Sequence, residues 1–204
     1  MFTGIVRSIG QVSLLEPCDG DLRLTINCDD LGLDDVELGD SIACSGACLT
    51  VIQKTKNTFS VDVSLETLGL TTVGIWKEGD RVNLEKAMMA TDRFGGHIVS
   101  GHIDGIGEVT ERKSNARSEV FKIHAPTSLL KYISVKGSIT VDGTSLTING
   151  VSGSEFELNI IPQTLSHTVI SDYRVGTKVN LEVDLIARYL EKLVSTEKIK
   201  DSEN

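Results

Sequence analysis

Three separated stretches of this chain repeat at a single offset of 97 residues, and no gap is needed to align them. FTGIVRSIGQV from Phe2 meets VSGHIDGIGEV from Val99, GDSIACSGACLTV from Gly39 meets KGSITVDGTSLTI from Lys136, and ETLGLTTVGIWKEGDRVNLE from Glu66 meets QTLSHTVISDYRVGTKVNLE from Gln163. Of 44 aligned positions, 17 are identical. Unrelated sequence of ordinary composition would give roughly 3. A repeat of this length is one folding plan written twice. It predicts tandem units over residues 1–90 and 91–184, joined around MMATDRFGGH (88–97), where Gly95 and Gly96 fit a hinge. Residues 185–204 lie outside the repeat.

Within each half the apolar residues alternate over short runs. LRLTI, SIACS, TFSVDV and RVNLE in the first half, and VFKIHA, SITV, EFELNI and KVNLEV in the second, have the period of β-strands. Asp142-Gly143 between SITV and SLTI signals a tight hairpin turn, and NGVSGS turns the chain again before EFELNI. No helical segment is expected between these runs, so the connections are antiparallel. A sheet of about 90 residues removes its exposed edges most simply by closing on itself. The expected fold is all-β: two tandem Greek-key barrels. The tail changes period, because Leu185, Ile186, Tyr189, Leu190, Leu193 and Val194 share one helical stripe. That stripe either packs on its own second barrel or meets copies of itself from other subunits.

With 29 acidic against 20 basic side chains the net charge is -9, which repels a phosphate backbone, and no Lys/Arg stripe relieves it. Nucleic acid is excluded as an expected partner. No run of 18 apolar residues occurs and MFTGIVRSIGQV lacks the form of a leader, so no membrane segment and a cytoplasmic location are expected. Cys18, Cys28, Cys44 and Cys48 have neither a C-x-x-C pair nor a histidine at ligand spacing, which argues against zinc and against a disulfide scaffold.

The opening MFTGIV, the paired CLT and SLT strands, the paired ETL and QTL turns, SGHIDG and the doubled VNLE together resemble the riboflavin synthase family. The resemblance spans both repeats and the tail. It implies that each half is a six-stranded barrel binding one molecule of 6,7-dimethyl-8-ribityllumazine. It also implies a homotrimer joined by the C-terminal helices, with catalysis between the first barrel of one subunit and the second barrel of its neighbour. The implied reaction is a dismutation in which one lumazine gives a four-carbon unit to another, yielding riboflavin and 5-amino-6-ribitylamino-2,4-pyrimidinedione. No cofactor and no metal are implied.

By that resemblance the first pocket uses Gly4, Ile5, Val6, Cys48, Leu49, Thr50, Asp62, Val63, Ser64, Leu65, Glu66 and Thr67. The second uses Gly101, His102, Ile103, Lys136, Ser145, Leu146, Thr147, Asn159, Ile160, Ile161, Pro162, Gln163 and Thr164. A flat ring with an imide edge and a chain of hydroxyls asks for apolar faces, backbone edges and small polar side chains, and these segments supply them. Fold alone would keep glycines and apolar positions. The pairs Thr50/Thr147, Thr67/Thr164 and Glu66/Gln163 keep polar character as well.

The chemistry needs a base for a methyl proton on one lumazine and activation of a ring carbon on the other. His102 is the first candidate base, because a histidine titrates near neutrality and its repeat partner is Ile5. His97, close by but in the connection, is the nearest rival; His124 and His167 have less support. Cys48 and Ser145 occupy equivalent positions, and either can add to a ring carbon or hold the water that does. The alternative is two wall residues of similar size. Asp184, opposite Ala87, is implicated in catalysis by the resemblance, or else caps the terminal helix. Lys136, opposite Gly39, suits gripping substrate. Cys44 has no expected role.

Overall fold

Alternating apolar residues bury one face of each run, and the computed structural model, which describes residues 1–202 with side chains through Ser195, shows those faces turned into two closed barrels. The first contains β1 (Ser8–Cys18), β2 (Asp21–Asn27), β3 (Ser41–Cys44), β4 (Ala47–Lys54), β5 (Thr58–Val63) and β6 (Arg81–Lys86), closed in the order β1-β2-β5-β4-β3-β6. The second contains β7 (Gly105–Asn115), β8 (Ser118–His124), β9 (Ser138–Val141), β10 (Thr144–Ser152), β11 (Glu155–Ile160) and β12 (Lys178–Val183), in the equivalent order. All pairings are antiparallel, and the non-sequential neighbours β2/β5 and β3/β6 are the Greek-key crossings.

The offset of 97 runs far beyond the stretches where identity is visible. Leu24, Ile26, Ile42, Val51, Phe59, Val61, Val63 and Leu84 fill the first core, while Phe121, Ile123, Ile139, Ile148, Phe156, Leu158, Ile160 and Leu181 fill the second at the same positions. Register shifts recur at the offset too, between Val12 and Leu14 as between Val109 and Glu111, and between Val51 and Gln53 as between Ile148 and Gly150. A barrel bends its strands at such bulges, so the closure itself is duplicated. The Asp142-Gly143 turn forms as expected with φ of 43° and 74°, and Ser45-Gly46 matches it with 41° and 86°.

The expectation of no helix between strands is corrected. Short helices α1 (Leu65–Leu70) and α2 (Pro162–His167) follow β5 and β11, with 3-10 turns at Thr72–Ile75, Thr127–Tyr132 and Val169–Asp172. Ser64 caps α1 by accepting from the Thr67 amide at 3.3 Å, and Pro162 starts α2 where its missing amide hydrogen costs nothing. Segments this short hold too few residues for a 3.6 period to stand out.

α3 (Leu185–Ser202) carries the helical stripe. Its first turns are tied to the second barrel by polar contacts: Arg188 to Asp104 at 2.6 Å, and Lys131 to Glu191 at 2.7 Å. The stripe itself is left uncovered, with Ile186, Tyr189, Leu190, Leu193 and Val194 all more than half exposed. Glu203 and Asn204, the end of the expected tail, lie outside the described residues. No helix among the described residues is long and apolar enough to cross a membrane.

The barrels are cross-braced by the doubled VNLE. Asn83 on β6 donates to the Asp142 carbonyl at 2.8 Å and accepts from the Val169 amide at 2.8 Å; Asn180 on β12 donates to the Ser45 carbonyl at 2.9 Å and accepts from the Thr72 amide at 2.7 Å. Both side chains are buried, so each must be satisfied, and each is satisfied by the other half. Where the two turns meet, a Cβ on Gly46 would stand 2.8 Å from the Gly143 nitrogen, so neither position admits a side chain.

Candidate active site

The second half of each VNLE sets the site. Glu85 accepts from the Thr3 amide at 2.8 Å, the Thr3 hydroxyl at 2.8 Å and the Gly4 amide at 3.0 Å. Glu182 accepts from Ser100 twice, at 2.7 and 2.6 Å, and from the Gly101 amide at 3.0 Å. Burial raises both carboxyls above the usual range, and these donors oppose the rise. Each glutamate therefore fixes the segment leading into its own barrel.

Those segments are laid across the opposite barrel. The Gly4 carbonyl accepts from the Ser145 amide at 2.7 Å, and the Gly101 carbonyl accepts from the Cys48 amide at 2.9 Å. Phe2 and Val99 pair between them, and with Ala43 they make a small apolar cluster on which Cys48 packs. Both glycines are left-handed, with φ of 76° and 81°, and a Cβ would stand 2.6 Å from Ser145 Cβ in one case and 2.5 Å from Cys48 Cβ in the other. Only glycine meets both demands.

This exchange mixes the two halves around one cavity. A cavity of about 250 Å³ is lined by Ala47, Cys48, Glu66, Thr67, Leu70 and Thr71 of the first barrel together with Gly101, His102 and Ile103. The Gly101–Ile103 segment thus faces Cys48, and Gly4 faces Ser145, the reverse of the grouping by half. A larger surface hollow of about 540 Å³ brings Arg7 and Ser8 beside Ser166 and His167 at the end of α2, so the N-terminal segment borders the second barrel there too.

Strand alternation sorts the remaining predicted residues. Cys48 and Thr50 point away from the barrel interior while Leu49 points in, and Val63 and Ile160 are likewise core residues, so none of these three presents its side chain to a cavity. Leu146 is half-buried against the second core, and Val6 is half-buried. Thr147, Asn159 and Ile5 are exposed. Asp62 is an exposed ion-pair partner of Arg23 at 2.8 Å, which lowers its pKa. Ser64, Leu65, Glu66 and Thr67 form the cap and first turn of α1; Ile161, Pro162, Gln163 and Thr164 do the same for α2. Lys136 is exposed with φ of 68° where Gly39 has 97°. A lysine held in that region carries backbone strain that glycine would not.

Asp184 caps α3: its Oδ1 accepts from the Ile186 amide at 2.9 Å. Its charge also acts on His97, favouring the protonated ring against a larger lowering by burial. His97, ranked behind His102 on sequence, is buried and bonded through Nδ1 to Ser145 Oγ at 2.7 Å. At Gly95-Gly96, where a hinge is expected, a Cβ on Gly96 would stand 2.0 Å from the Thr3 carbonyl and 3.0 Å from Ser145 Oγ. Those glycines permit close packing. The signal for His97 was its place after that doublet; for Glu85 and Glu182, it was polar identity at buried strand positions.

Two matching barrels that exchange their leading segments, with a cysteine in one contact and a serine in the other, define a two-site small-molecule-binding protein. The lumazine binding domain model matches residues 3–87 and again residues 100–184. Riboflavin synthase of Photobacterium phosphoreum is 49% identical over 204 residues, covering 100% of this chain and 94% of its own. That of Bacillus subtilis is 45% identical over 190 residues, covering 93% and 88%. Among solved structures, LumP complexed with riboflavin aligns with a TM-score of 0.82 at 26% identity, covering 90% of this chain and 99% of that one. The chain belongs to the riboflavin synthase family.

Proposed function

We propose that this chain converts two molecules of 6,7-dimethyl-8-ribityllumazine into riboflavin and 5-amino-6-ribitylamino-2,4-pyrimidinedione by four-carbon transfer. The observation that carries the reading is the pair of equivalent segment contacts, Gly101 on Cys48 and Gly4 on Ser145, built by the same glutamate brace in both halves. Two identical substrates call for two like sites, and donor and acceptor call for a difference between them. His102 is the base that takes the methyl proton, and Cys48 and Ser145 act on the ring carbons. Glu66, Thr67, Gln163 and Thr164 offer polar contacts at the first turns of α1 and α2, Lys136 grips the second ligand, and Asp184 acts through its charge.

The cavity at Cys48, about 250 Å³, lies below the usual range for a site enclosing a whole ligand of this kind, roughly 300–1,000 Å³. A neighbouring subunit completes it, with the bare stripe on α3 joining three chains. Four free cysteines, two of them fully buried, suit a reducing cytoplasm. Incubating the purified chain with the lumazine tests the reading: one riboflavin appears for every two lumazines consumed. Binding of one lumazine per chain with no riboflavin released would make it an optical or carrier protein instead.

A further inference from the structure

We propose that His97 is a positioning residue for Ser145, fixing the serine hydroxyl beside the Gly4 contact through the Nδ1 to Oγ hydrogen bond of 2.7 Å. The inference rests on the lumazine dismutation proposed above and adds to it the reason why the two sites behave differently.

A serine hydroxyl on a strand edge rotates freely unless something holds it. His97 does so from a rigid mount. Its amide donates to the Thr3 carbonyl at 3.1 Å, and Thr3 is itself held twice by Glu85, so a continuous chain runs from β6 to the Ser145 oxygen. Gly96 has no side chain where one would strike both the Thr3 carbonyl and Ser145, which lets the backbone deliver the ring at this distance. Burial favours the neutral imidazole. A neutral ring can accept the serine hydrogen at Nδ1, which turns the oxygen lone pairs away from His97.

A purely structural histidine satisfies both ring nitrogens. Here Nε2 is buried and has no hydrogen-bond partner among the described residues. Asp184 favours a proton on the ring through its charge, and its Oδ1 accepts from the Ile186 amide. The repeat sharpens the point. Cys48, at the position equivalent to Ser145, has no histidine hydrogen-bonded to it among the described residues, and the histidine at its cavity is His102. The two contacts carry differently mounted histidines: His97 buried and locked at Ser145, His102 exposed beside Cys48.

The test is turnover and lumazine binding for His97→Phe, His97→Asn and His97→Gln, alone and with Ser145→Ala. An asparagine amide reaches where Nδ1 was, and a glutamine amide where Nε2 was. We expect His97→Phe to lower kcat at least tenfold with the lumazine Kd, by fluorescence titration, moving less than threefold. His97→Asn should exceed His97→Gln in kcat by at least threefold, and His97→Phe should cost Ser145→Ala less than twofold. Wild-type kcat in His97→Phe, equal or reversed order of the Asn and Gln variants, or an undiminished cost on the Ser145→Ala background would each overturn the proposal. If His97→Phe fails to fold, the Asn and Gln variants carry the same decision. A wild-type chain that makes no riboflavin refutes the activity itself, a result distinct from an active chain indifferent to His97.

Discussion

The two barrels share the braces that join them and differ around the exchanged segments and at one buried corner between the halves. Most of their core positions correspond, and so do the asparagine braces and the glutamate clamps. Ile5 against His102 and Cys48 against Ser145 differ at the exchanged segments, and Ser45 with Trp76 against Asp142 with Tyr173 differ at the buried corner beside the asparagine braces. Duplication keeps the braces symmetric, because each half completes the other, while positions outside them diverge.

The largest expected effect breaks the comparison at its chemistry. His102→Gln should lower turnover by about 10²-fold, the scale of a lost general base, with lumazine affinity changed far less. Stopped-flow or steady-state riboflavin formation measures it, and wild-type turnover would remove this histidine from the mechanism.

Next come the paired glycines. Gly101→Ala and Gly4→Ala each force a methyl into Cys48 or Ser145 from a left-handed backbone, at a cost of about 2–3 kcal/mol in urea unfolding. Equal losses would establish that the exchange is energetically symmetric; a silent variant in one half would show that its segment is free to leave.

Glu85→Gln and Glu182→Gln probe the clamps at about 1–3 kcal/mol each, since every carboxylate there accepts three hydrogen bonds and an amide can accept fewer. Calorimetric melting of the two variants should give losses within a factor of two of each other.

The last test sits on a difference and is read as a slope with pH. Asp142 is buried with Tyr173 at 2.5 Å and the Asn180 amide at 2.8 Å, and burial raises its pKa to about 7. Below about pH 4 the carboxyl is protonated in folded and unfolded chains alike. Between pH 4 and 7 the unfolded chain releases the proton while the folded chain keeps it, so stability falls as pH rises, by at most about 1.4 kcal/mol per unit. Asp142→Asn should flatten that part of the Tm profile; an unchanged slope would mean that the carboxyl ionises in the folded chain as readily as in water.

Much of this molecule was legible beforehand because its determinants are local. Alternation in TFSVDV and EFELNI gave strands, Asp142-Gly143 gave its turn, and the stripe from Leu185 to Val194 gave a helix. α1 and α2 escaped because six residues set no clear period. Asn83 and Glu85 were visible as a motif without a job, since nothing in VNLE says that the asparagine reaches 59 residues ahead to Asp142 and the glutamate 82 back to Thr3.

The sequence by itself determined the duplication, the strand periods and the residue types at equivalent positions, all of which depend on neighbours along the chain. Only the tertiary structure decided that Gly4 serves Ser145, that Gly101 and His102 serve Cys48, and that His97 reaches Ser145. Two barrels of one plan offer a leading segment two equivalent docking places. Local pattern is the same for either, and the choice is settled by long-range hydrogen bonds and by close backbone approach at glycine, which no spacing records.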